Sequence, residues 1–267
     1  KGAQMARVMT AMLTVVLFAP MVAPLIGGHM LVWFGWRSVF WTLVACGLLA
    51  LAVVYFRIPE SLPQELRTPP GFKPVMRGYA RVIGHRSALG YILSGGITFG
   101  ALFAFISGAP FVFIEYFGVP PEQMGYIFMI NVAGVMTGGW LNGRAISKYG
   151  VRRMMTVGTT MLFAGAVLLL AILATGFGGL WGAMLGVFLF TLPINMINAN
   201  ATTGALEYFP QIAGTASALV GAVRFGLGGI AGFAVGLIHD GTPMPMTYVI
   251  VGCALASVIL LQLMVRK

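Results

Sequence analysis

Charge is what this sequence has least of. Only 8% of its 267 residues are charged, and just 6 are acidic. A water-soluble fold of that length would need a far more polar surface, so a soluble globule is excluded. The 3 histidines, His29, His85 and His239, stand far apart. There is no H-E-x-x-H, no G-x-S-x-G and no pair of aspartates at membrane depth. The chain therefore offers neither a metal site nor a hydrolytic centre, and a polytopic membrane enzyme is the weaker reading. The 2 cysteines, Cys46 and Cys253, fall inside apolar runs and read as separate buried thiols, not as a disulfide. No signal-peptide pattern follows Lys1. The roughly ten-residue alternation of a membrane β-barrel is missing too.

What the chain has is apolar length. Hydrophobic residues make up 59% of it. A hydrocarbon core is crossed by about 20 consecutive apolar residues in helix. Eight segments meet that length: about 8–34, 38–56, 88–114, 124–141, 154–175, 180–206, 213–238 and 244–265. The expected fold class is an all-α polytopic membrane protein, a bundle of eight transmembrane helices.

The connections sort the basic residues. Fourteen of the 16 lie at the two ends, in the 57–87 connection or in the turn after the fourth span, all on one side. The other side has only Arg37, and Arg224 lies inside a span. The positive-inside rule then puts both ends of the chain in the cytoplasm. The net charge of +10 is an orientation signal, so no nucleic-acid partner is implied; the lipid bilayer is the expected one.

Residues 57–87 form the one long polar connection. It begins RIPESLPQELRTPPGFKP, whose five prolines preclude a regular helix. Its second half places Val75, Tyr79, Val82 and Ile83 on one helical face and Arg77 and Arg81 on the other. That suits a short helix at the lipid surface, with a solvated linker as the alternative. The expected organisation is the end of an N-terminal bundle over 1–58, a linker over 59–87 and a six-helix bundle over 88–267. Two spans before the linker and six after it suggest a piece of a longer chain with two six-helix halves, lacking about four helices.

Several stretches carry chemistry. In APMVAPLIGG, Pro20 and Pro24 bend the first span, while Ala23, Gly27 and Gly28 would let a neighbouring helix approach closely. Ser217, Gly221, Gly228, Gly232 and Gly236 form a stripe of small residues, and Arg224 falls on it. A cation at mid-membrane costs at least about 2.5–3.5 kcal/mol, so Arg224 is expected to face a cavity and bind substrate or a carboxylate. A structural arginine bonded to backbone carbonyls is the alternative. None of the 6 acids is mid-span. Asn195 and Asn198, one turn apart in the sixth span, and Asn131 in the fourth are candidate cavity contacts, or else interhelical glue. Tyr91, Phe103 and Ser107 in the third span are candidates for an apolar, adaptable pocket wall, or else for packing. LNGRAISKYGVRRMM is a tight turn around Gly150, with cations to hold the helix ends at the lipid surface.

These residues resemble a known family. APMVAPLIGG is similar to the antiporter motif of the major facilitator superfamily, with Pro24, Gly27 and Gly28 matching and Ala19 and Ala23 where glycine is preferred. GWRSVFW, IPESLP, GALFAFISGAPFVFIEYFGV and AGTASALVGAVRFG, in that order, resemble the Bcr/CflA drug-resistance group. The 147–153 turn is similar to that superfamily's loop signature, with Ser147 in place of its Asp and Arg152 and Arg153 in its basic run. The resemblance implies a monomeric drug/proton antiporter, driven by the proton gradient without a cofactor, that exports a small amphipathic drug by alternating access. It also implies a proton-carrying acid in the first helix of the longer chain. Transport of another small solute, or a truncated remnant that carries nothing, are the alternatives.

Overall fold

The computed structural model describes residues 22–23, 26–57 and 72–265. Among these every regular element is helical: α1 (Trp36–Arg57), α2 (Phe72–Ile83), α3 (Arg86–Pro110), α4 (Met124–Thr175), α5 (Gly179–Leu206), α6 (Ala213–Leu237) and α7 (Met244–Met264). Helical residues 26–34 precede α1 across Gly35, whose φ of 76° breaks the helix. Ala19 and Pro24 of the antiporter-like motif, most of the expected 8–34 span and the proline-rich 58–71 segment lie outside the described residues.

Six helices are long and apolar enough to cross a membrane, among the described residues. One of them is too long for a single crossing. α4 has 52 residues, and at 1.5 Å each a straight helix would run about 78 Å, more than twice a hydrocarbon core. Gly150 interrupts it with φ 73° and ψ 164°, a conformation essentially reserved for glycine. Both arms then pack on the same stretch of α5. A methyl at Gly138 would strike the Leu192 carbonyl, and one at Gly165 would lie 2.9 Å from the Phe190 Cα. The chain therefore doubles back at Gly150, and the two arms are the expected spans 124–141 and 154–175. Seven of the eight expected crossings are accounted for.

Helix α3 is the hub, and small residues let its neighbours close on it. Gly95 meets Ala201 of α5, Gly96 meets Val223 of α6, and Gly108 meets Met246 of α7. At Gly100 a methyl would stand 3.3 Å from the Leu227 carbonyl. In lipid such close approach, with its dispersion contacts and interhelical hydrogen bonds, replaces the hydrophobic drive that holds helices together in water. The hydrogen bonds come from Ser94, Thr98 and Ser257, whose hydroxyls are fully buried. Ser94 Oγ lies 2.9 Å and Thr98 Oγ1 3.0 Å from Ser257 Oγ, joining α3 to α7. Past Pro110, which has no N–H to give the helix, the chain continues in π-helical geometry over Phe111–Tyr116.

The element ends are tied at the basic side of the bundle. His85 caps α3 by accepting from the Ala88 N–H at 3.2 Å. Arg86 Nη2 donates to the Leu263 carbonyl at 2.8 Å, and Arg152 Nη2 donates to the Val265 carbonyl at 3.3 Å. Two cations thus take up two of the carbonyls at the end of α7, at the negative end of its dipole.

The expected short helix forms as α2, with Val75 and Ile83 exposed; it also packs through Gly78, against Thr215 of α6, and through fully buried Val82. Docking on a helix rewards a small residue at the contact, which hydrophobic spacing alone does not reveal. On α6 the buried line is Ala216, Val220, Gly228, Ala231 and Val235. Of the expected small-residue stripe, Gly228 and Gly232 meet Phe103 and Ser107, while among the described residues Ser217 and Gly236 are exposed. Aliphatic side chains fill the groove against α3 beside these two glycines. Cys46 is exposed, because among the described residues α1 has no buried residue, and Cys253 is partly buried; both are free thiols. Helix α1 instead carries aromatics near both ends, Trp36 with Arg37 stacked on it at 4.6 Å, and Tyr55 with Phe56, as interfacial anchors.

Candidate functional site

Arg224 sits near the middle of the 25-residue α6. Its Nη2 donates to Thr202 Oγ1 at 3.0 Å and to the Asn198 carbonyl at 3.4 Å, both on α5. Its guanidinium carbon lies 5.6 Å from the centre of the Phe99 ring of α3, within cation–π range. Three helices therefore surround this cation. The Thr202 hydroxyl is free to accept because its own proton goes back to the Asn198 carbonyl at 2.8 Å. The satisfaction is incomplete. Arg224 Nε and Asn198 Oδ1 are both buried without a hydrogen-bond partner among the described residues. An unmet donor and an unmet acceptor at membrane depth are costly, and each calls for a partner from elsewhere.

Aromatic rings wall the site. Phe99 and Phe103 lie 5.1 Å apart on one face of α3, and Phe225 of α6 meets Phe99 edge-on at 5.3 Å. Phe103 rests on Gly228, and Ser107, one turn on, faces Gly232. Arg224, Asn198, Phe103 and Ser107 are all half-buried. Together they make an apolar wall with one cation and one amide set into it.

The other sequence candidates fall elsewhere. Asn195 lies against Gly139 of the first arm of α4, one turn along α5 from the cluster. Asn131 is buried between α4 and α5, where its carbonyl accepts from Thr191 Oγ1 at 3.3 Å and its side-chain Nδ2 has no partner among the described residues. Tyr91 is buried against Gly204 near the basic end of α3, and it borders a hollow with Gly150, Arg152 and Arg153. It is not part of the Arg224 cluster. Ser147 and Arg153 are exposed, and Arg152 closes α7 as described above. Gly27 and Gly28 border an apolar cavity of about 530 Å3 with Trp36, Phe40, Pro110 and Phe128. No helix closes on them: nothing lies within 4 Å of a methyl built at either, and Ala23 is exposed. Among the described residues the glycines line a space and do not form a contact.

Sequence reasoning missed one buried amide pair. Asn200 Nδ2 donates to Asn142 Oδ1 and to the Met196 carbonyl, both at 2.7 Å. Asn142 sits beside Arg144 at a span end and reads as loop; only the partner helix reveals its role.

A transmembrane bundle with an aromatic-walled cation is a general arrangement, and the comparisons make it specific. The sequence profile of the Major Facilitator Superfamily matches residues 1–233. The chain belongs to that superfamily. It is a multi-pass membrane protein of a transporter family and not an enzyme. A bicyclomycin resistance protein homolog of Haemophilus influenzae is 36% identical to it over 258 residues, 96% of this chain and 64% of the relative. An uncharacterized MFS-type transporter, YdgK, of Bacillus subtilis is 31% identical over 250 residues, 92% of this chain and 61% of the relative. Multidrug resistance protein D of Escherichia coli is 28% identical over 214 residues, 78% of this chain and 52% of the relative. The chain thus spans less than two thirds of the length of each of these relatives. The superfamily match, over residues 1–233, includes the helices that carry the Arg224 cluster.

Proposed function

We propose that this chain forms the larger part of a proton-coupled drug exporter of a bacterial inner membrane, with the Arg224 cluster as its half of the drug site. The observation that carries this reading is the pair of unmet buried groups, Arg224 Nε and Asn198 Oδ1, beside Phe99, Phe103 and Phe225. An amphipathic drug has the matching parts: a ring or alkyl body for the aromatic wall, and an acceptor and a donor for the two polar atoms. Two relatives named for resistance, one to bicyclomycin and one to several drugs, support export as the direction.

The coupling follows from charge. Among the described residues the acids are Glu115, Glu122, Glu207 and Asp240, all exposed and at span ends. None can exchange a proton beside Arg224. A carboxylate from the part of the longer relatives beyond this chain would do so. Ionised, it pairs with the guanidinium and excludes the drug; protonated, it releases the site. Rocking of two helix bundles about that site, driven by the proton gradient and needing no cofactor, exports the drug. The protein acts as a monomer, with its basic side in the cytoplasm.

In the full-length protein, Arg224→Ala should abolish drug resistance in cells while the protein still reaches the membrane in normal amount. Arg224→Lys, which keeps charge but loses the forked donor geometry, should restore little of it. Normal resistance in Arg224→Ala would refute the assignment.

A further inference from the structure

A hollow of about 610 Å3 opens at the basic end of the bundle, where Tyr91 of α3, the Tyr149–Arg153 turn of α4 and Glu207 beyond α5 meet. Along the second arm of α4 runs a shallow groove of about 310 Å3, lined by Thr156, Val157, Thr160, Met161 and Ala164. Thr156 and Val157 border both spaces. A hollow rimmed by Arg152 and Arg153 at the level of the membrane surface therefore leads onto an open apolar groove that climbs toward the hydrocarbon core. Val157, Thr160, Met161 and Ala164 are all exposed on that face, so no described helix covers the channel.

The chamber has unused binding capacity. Arg153 is exposed and has neither a hydrogen bond nor an ion pair among the described residues. Arg152 spends one Nη on the Val265 carbonyl and has no ion pair among the described residues. The second arm of α4 begins here, after the break at Gly150, with the positive end of its dipole toward the hollow. Glu207 on the rim sets an upper limit on charge. It disfavours a dianion such as a phosphomonoester, whereas a singly charged phosphodiester is matched by the guanidinium groups.

We propose that hollow and groove together are a phospholipid site on the leaflet at the basic side. The phosphodiester is held by Arg153 and Arg152, and one acyl chain lies along Val157, Met161 and Ala164. Charge complementarity at the head and an uncovered apolar channel joined directly to it select this occupant over a soluble anion. A basic pocket between helices at a membrane surface is suited to recognise a lipid headgroup. The site lies at the hinge of the α4 hairpin, away from the Arg224 cluster, and does not depend on what the protein carries.

Native mass spectrometry of the full-length protein, stripped of lipid in detergent and titrated with dioleoyl phosphatidylglycerol, tests this. The expected result is one tightly held lipid per protein. Arg153→Gln, at an exposed position, should weaken it about tenfold through the loss of a charge-assisted bond. Ala164→Trp, which fills the channel, should weaken it similarly, and Arg144→Gln, outside the hollow, should leave it unchanged. Equal retention in Arg153→Gln and Arg144→Gln would overturn the proposal. So would retention in Ala164→Trp, or displacement of the lipid by inorganic phosphate, which would make the chamber a plain anion site.

Discussion

Single polar atoms decide a great deal in a chain so poor in them. Asn142 and Asn200 share one buried bond between α4 and α5, and Asn200 also returns a proton to Met196. We expect Asn200→Ala to lower stability by about 1 kcal/mol and no more than about 2, the range for interhelical hydrogen bonds in membranes. The thermal midpoint of the purified full-length protein in detergent reads this, and an unchanged midpoint would show the pair to be idle. Arg224 was legible in the sequence because a charge inside an apolar run has to be explained. Asn142 was not, since an amide next to a charged span end reads as solvated. Tyr91 shows the complementary limit: spacing gives a residue its depth along a helix but not the neighbour it meets.

Gly150 does for α4 what no other residue could do at φ 73° and ψ 164°. Replacing it by alanine should cost about 1–3 kcal/mol, the strain of holding a side chain in that region. Gly143, helical and with nothing within 4 Å of an added methyl, supplies the control. Gly143→Ala should be neutral or slightly stabilising. If the two variants melt together, the turn is not held by that backbone. The hairpin itself was readable, because a glycine amid cations between two apolar runs announces a turn. The packed face of α6 was not. Glycine spacing marks where helices can approach, whereas the face that does approach is fixed by the Val220 and Val235 side chains and by the groove on α3 that receives them.

For the molecule as a whole, the sequence told most about length and sign of charge. Spans, their number after the linker and the sidedness of the basic residues all follow from a bilayer's thickness and the positive-inside rule. The order in which helices touch, with α3 at the centre, does not follow, because in lipid no hydrophobic gradient singles out one neighbour. Sidedness can be measured. With Cys46 and Cys253 replaced, a cysteine at Ser147 should react with a membrane-impermeant maleimide only in inside-out vesicles. One at Gln123, at the opposite end of its span, should react only in right-side-out vesicles. The reverse pattern would invert the topology.

Arg86 and Arg152 fasten the start of α3 and the start of the second α4 arm to the last carbonyls of α7. Three helices therefore share one anchorage at the basic side, and none can swing there without tearing a cation from its carbonyl. When the bundle tilts, that corner must travel as a rigid plate. Spin labels near positions 86, 152 and 263 should keep fixed mutual separations while their distance to α1 changes.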